Sequence, residues 1–209
     1  MIEIRQKNTG RLLLSLELRT LSGAKITHSS LPDASLSGVD LSGAQMMLTN
    51  MAGSDLTHAI LAQTNLTDAN LKDTDLSSAD LTGATLVYTQ FVGARMVSTI
   101  LRMTDMGNAD LTSANLERAD FEGANLHSAD FTDANLKGAN LNRVNLSYAI
   151  LGGANLEGVS LTGSRLTSTL YNEKTRWPKG FDPTEHGACL VSPEDEKTAT
   201  KRPWWRWWK

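Results

Sequence analysis

The chain has 209 residues, 40% hydrophobic but only 6% aromatic, one cysteine and a formal net charge of −3. Such a length fits one or two ordinary domains. The lone Cys189 excludes an internal disulfide framework and fits a reducing compartment. The charged opening MIEIRQKNTG is no signal peptide, and no apolar run approaches the roughly 20 residues that span a bilayer. A cytoplasmic protein is expected. Charge is uneven: residues 31–170 carry 15 acids against 7 bases, residues 1–30 carry 2 against 5, and residues 171–209 carry 6 against 8.

Residues 1–20 read as a β-hairpin cap. Ile2 and Ile4 alternate with charged residues, Asn8–Gly10 supplies a turn, and a second strand runs through Leu18. Leu21, Ile26 and Leu31 then set a period of five, which belongs neither to a helix nor to a strand. From Leu31 to Leu166 every fifth residue is Leu, Met or Phe, giving 28 centres without an insertion. Two residues before each centre from Leu36 onward stands Ala, Ser, Thr or Val, and Asp or Asn often lies between. A strict repeat of this kind predicts a solenoid over residues 21–170.

The physics of the unit follows from its composition. Large and small residues point inward and the other three positions meet water, so each unit is a short extended piece and a corner. Ten of the twelve glycines between residues 31 and 170 lie two positions after a centre, where a type II turn requires positive φ. Where Asp73, Ser78 or Arg143 takes that place, a turn without positive φ is expected. Four corners close a coil of 20 residues. About seven coils stacked at about 4.8 Å make a rod roughly 33 Å long. The Asp and Asn before each centre are expected to bond neighbouring backbone and not to form catalytic carboxylate pairs or calcium sites.

Runs such as Ala79-Asp80-Leu81-Thr82-Gly83 and Ala124-Asn125-Leu126-His127-Ser128 resemble the A(D/N)LXX unit of the pentapeptide-repeat family. The resemblance implies an all-β fold, a right-handed quadrilateral β-helix. The segment YNEKTRWPKGFDP (residues 171–183) is similar to the closing segment that follows the last repeat in bacterial members. Residues 171–190 are therefore expected to cap the rod, with Trp177 and Phe181 over its last layer and Pro178 and Pro183 stopping further coiling. Residues 191–209 are expected as a flexible Trp/basic tail.

Chemistry is sparse. His28, His58, His127 and His186 share no metal-ligand spacing, and no nucleophile elbow, phosphate loop or dinucleotide fingerprint occurs. No enzyme, cofactor or metal site is expected, and His127 reads as merely solvated. Outward apolar residues are more informative. Met47, Leu48, Val87, Tyr88 and Tyr148 are expected on one wall, and Ile60, Ile100 and Met103 on the preceding one, as a candidate partner surface. Lys201, Arg202, Trp204, Trp205, Arg206, Trp207, Trp208 and Lys209 form a tail suited to a membrane interface or a protein partner.

These features lead to a non-catalytic scaffold that presents solenoid walls to a macromolecular partner, without direct nucleic-acid binding. Two alternatives stay open. The family's quinolone-resistance members are acidic rods that bind DNA gyrase in place of DNA, and the acidic body here is consistent with that mimicry. Association with a membrane surface through the tail is the other. Homodimerisation is compatible with each of these.

Overall fold

A computed structural model describes residues 1–192; the tail cations and tryptophans at 201–209 lie outside the described residues. Strands β1 (Ile2–Arg5) and β2 (Leu12–Leu16) pair antiparallel, with Ile2 opposite Leu16 and Ile4 opposite Leu14. The second strand thus ends two residues short of Leu18. Ile4 is buried, and the chain beyond β1 pairs antiparallel with the first coil through Gln6 and Ala34. Lys7 N–H donates to the Asp33 carbonyl at 2.7 Å and Ser35 N–H to the Arg5 carbonyl at 2.8 Å. An open first coil would expose unpaired strand edge, and the hairpin covers part of it.

Every bridge between coils joins residue n to n+20 in parallel, from Lys25↔Gln45 to Ile150↔Leu170. The bridges form four ladders, named here by their first members: the Lys25, Ser30, Ser35 and Asp40 walls. Between them run four corners, likewise the Gly23, His28, Asp33 and Gly38 corners. The final bridge, Asn155↔Arg176, spans one residue more, because the turn at Asn172–Thr175 adds a residue.

The core is a stack of centres. Leu126 lies fully buried in register between Met106 and Leu146, and the rings of Phe121 and Phe131 meet edge to face across one coil at 6.3 Å. Hydroxyls in the small-residue layer find carbonyls: Thr89 Oγ1 donates to Leu66 at 2.8 Å, and Thr64 Oγ1 to Leu61 at 2.7 Å. The polar member of the unit therefore costs little on burial.

Corners depart from expectation. Every fifth residue from Gly23 to Ser168 has φ between 54° and 73°, whatever its side chain. Asp73 (54°), Ser78 (58°) and Arg143 (58°), read as corners without positive φ, adopt it too. The physical reason is the stack. A coil must turn where its neighbours turn to keep its interstrand hydrogen bonds, and those bonds outweigh a local strain of about 1–2 kcal/mol.

Beyond Leu166, β3 (Leu170–Tyr171) is followed by Trp177, which packs between Tyr171 (5.4 Å) and Phe181 (5.4 Å, stacked). The prolines do not end the stacking. After a 3₁₀ turn at Thr184–His186, β4 (Cys189–Leu190) pairs parallel with β3, and Cys189 N–H donates to the Thr169 carbonyl at 2.8 Å. Pro178 and Pro183 sit in the connection, where no ladder N–H is needed.

Candidate functional site: the outer corners and walls

The acidic residues before the centres are tied to the backbone. Asp80 Oδ1 accepts the Thr82 N–H at 2.9 Å and its hydroxyl at 2.6 Å; Asp110 Oδ1 accepts Thr112 N–H at 3.1 Å. Amides add a second bond along the rod, as when Asn125 Nδ2 donates to Asp105 Oδ1 at 2.9 Å and Asn145 Nδ2 to Asn125 Oδ1 at 3.1 Å. These are local side-chain caps. Among the described residues, no three His, Cys, Asp or Glu side chains gather in a metal-holding group. No helix among them is long and apolar enough to cross a membrane.

The apolar residues expected to face outward occupy three places, one wall and two corners. Ile60 and Ile100 stand on the Asp40 wall, but Asp80 lies between them in the ladder. Met103 is not on that wall. It sits at the Gly23 corner with φ 55° and is 70% exposed. Next to it Arg102 pairs with Glu122 and lies 3.5 Å from Asp120, while Arg143 lies 3.6 Å from Glu122. Hydrogen bonding to Glu122 and the charge of Asp120 push the Arg102 guanidinium up from its ordinary value.

Met47, Leu48, Val87, Tyr88 and Tyr148 share the His28 corner, between the Lys25 and Ser30 walls, and not a wall itself. Leu48 (φ 57°), Tyr88 (φ 56°) and Tyr148 (φ 64°) each stand at the left-handed position. Tyr88 is 55% exposed, with Leu48, Met47 and Tyr148 also on the surface. His127 is half-buried and packs its ring edge to face on Tyr148 at 5.1 Å, so it is more than a solvated histidine. The sequence carried the signal for this pair: positions 127 and 148 are adjacent once the coil length of 20 is known.

A repeat of 20-residue coils with a left-handed corner every fifth residue is matched by the model of pentapeptide repeats, in eight copies over residues 20–169. The chain belongs to the pentapeptide repeat family. Its rod is accordingly a right-handed quadrilateral β-helix. Among solved structures, it is similar to a trypsin-treated form of QnrB1, a plasmid-mediated fluoroquinolone resistance protein, with TM-score 0.60 and 16% identity over 87% of this chain and 89% of that one. It is also similar to HetL of the cyanobacterium Nostoc sp. strain PCC 7120, a pentapeptide repeat protein involved in heterocyst differentiation regulation. There the identity is 29% over 71% of this chain and 87% of that one, with TM-score 0.48. No curated protein matches the chain.

Proposed function

We propose that the protein is a non-catalytic, cytoplasmic interaction scaffold whose docking surface is the His28 corner with its flanking walls. One observation carries the reading. Leu48, Tyr88 and Tyr148 hold bulky side chains at left-handed corner positions that strain any residue with a Cβ, and they stand exposed to water. Neither folding nor solubility favours such residues there. Left-handed φ is common to every corner of the rod, so what sets this one apart is the group of bulky apolar side chains it exposes, the mark of a binding position.

The test is affinity capture from a lysate with the full-length protein and with Leu48→Ser/Tyr88→Ser. Serine occupies the same corner at Ser128 and Ser168, so the turn is retained. A partner held by the wild type should be lost by the variant. Retention of every captured species would sink the assignment of the corner.

Acidity favours a second reading, mimicry of DNA toward gyrase. On the Asp40 wall, Asp40, Asp80 and Asp120 recur every second coil, and residues 31–170 have more than twice as many acids as bases. A mimic inhibits gyrase supercoiling, and added salt weakens the inhibition. Full supercoiling in the presence of micromolar protein eliminates this reading.

A further inference from the structure

The last nine residues, KRPWWRWWK, contain four cations and four tryptophans, all outside the described residues. Their indoles and cations together complement the His28 corner with its flanking walls. From the Lys25 wall through the His28 corner to the Ser30 wall, the carboxylates are Asp68, Asp105, Asp110 and Asp130. The cations there, Lys25 and Arg165, lie toward the two ends. Along the same corner stand Leu48, Tyr88 and Tyr148 with the His127 ring, interleaved with Asp68, Asn108 and Ser128. An apolar, aromatic strip edged by negative charge is what a segment of paired indoles and cations requires.

Geometry supplies two further arguments. The described chain leaves the rod beside this strip, because β4 is seated on the last rung of the Ser30 wall and Val191 N–H donates to the Tyr171 carbonyl at 2.8 Å. The lengths also agree. Tyr88 and Tyr148 are three coils apart, about 14 Å at the spacing between neighbouring strands. Four extended residues, the separation of Trp204 and Trp208, cover about the same distance. Twelve residues from Ser192 to Trp204 reach roughly 40 Å, further than the five coils from β4 back to Tyr88.

We propose that residues 201–209 dock in cis on the His28 corner, cations against Asp105, Asp110 and Asp130 and indoles against Tyr88 and Tyr148. This rests on the reading of that corner as a docking surface. The tail is then a built-in competitor, and a partner of similar basic, aromatic character must displace it.

Acrylamide quenching of tryptophan fluorescence in the full-length protein tests this, since four of five tryptophans lie in the tail and Trp177 adds a fixed background. The expected result is shielding at low salt that is independent of protein concentration and disappears at high salt. Leu48→Ser/Tyr88→Ser should raise quenching severalfold, to that of a free 198–209 peptide, with an unchanged melting temperature. Asp110→Asn/Asp130→Asn should raise it partly, because asparagine keeps the backbone bond, as Asn50 and Asn70 do on the same wall. Ile60→Ser/Ile100→Ser on the Asp40 wall should leave it unchanged. The proposal is overturned if wild-type quenching already equals that of the peptide, or if the corner variant stays shielded. Shielding that vanishes on dilution also overturns it, since the tail would then belong to a second copy. All readings are on pure protein, so failure here leaves the capture experiment to decide the scaffold reading separately.

Discussion

Corners of the same rod solve one steric problem in two ways. At the Gly23 corner, Gln63, Met103 and Arg143 alternate with Gly83, Gly123 and Gly163. At the Asp33 corner, Asp33, Asp73 and Asp133 are each followed one coil later by Gly53, Gly93 or Gly153. A Cβ on Gly53 or Gly93 would meet the preceding Asp carboxylate oxygen at 2.5 Å, and one on Gly123 would meet Met103 Sδ at 2.7 Å. Gly43, which follows a glycine, has open space instead. Each corner side chain therefore reclines over the next coil, and glycine is the residue that leaves room. The His28 corner has no glycine at its left-handed position. There Leu48 is followed by Asp68, Tyr88 by Asn108 and Tyr148 by Ser168, so short polar residues make the room while every corner keeps its strain. Glycine thus does two jobs, admitting positive φ and receiving a neighbour, and the His28 corner gives up the first.

The largest effect should come from the layer beneath these corners. Leu126, a centre adjoining the His28 corner, is expected to cost about 2–5 kcal/mol on Leu126→Ala, because a one-dimensional stack has little freedom to collapse around the hole. Reversible denaturation measures it. A loss below roughly 0.5 kcal/mol would mean that corners, not centres, hold the rod.

Next in size is Gly123→Val. It combines positive φ, a β-branched side chain and the Met103 contact, and should cost about 2 kcal/mol, somewhat more than strain alone. Met103→Ala in the same chain should recover part of that loss. No recovery would separate the two jobs of glycine and break the reclining-side-chain account.

At the corner whose left-handed position never holds glycine, the sign reverses. Ser128→Gly should stabilise by about 0.5 kcal/mol, relief of about 1 kcal/mol of strain exceeding the added freedom of the unfolded chain. Destabilisation would show that the His28 corner is not strained as its φ of 57° implies.

The smallest effect concerns the same carboxylate-to-backbone bond outside the coils. The Thr184 hydroxyl (2.7 Å) and then its N–H (2.9 Å) hold the Asp182 carboxyl below its ordinary value. A lowered folded value means that this stabilisation is complete above the unfolded carboxylate value and is lost as pH falls through the folded one. Thr184→Val should move the Asp182 titration upward, toward the ordinary value, in an NMR titration. An unmoved titration would assign the shift to the backbone alone.

Much of this protein was legible without coordinates, for a local reason. Inward and outward positions repeat every five residues with no insertion, so Leu126 could be placed as a buried centre from its phase, and the coil length followed from the number of corners. The ring contact of His127 and Tyr148 was within reach of the same arithmetic, yet it was missed, because residues 21 apart look unrelated until coils are superposed. Other features depend on neighbours above and below. Asp73, Ser78 and Arg143 prefer negative φ by themselves and are carried into the left-handed region by the stack. Met103 belongs to a corner and Ile100 to a wall, a division invisible in a count of outward residues. Composition and period alone determined the rod, its core and its acidic body. Tertiary structure decided where strain sits and which exposed side chains gather, because both depend on contacts between residues one coil apart.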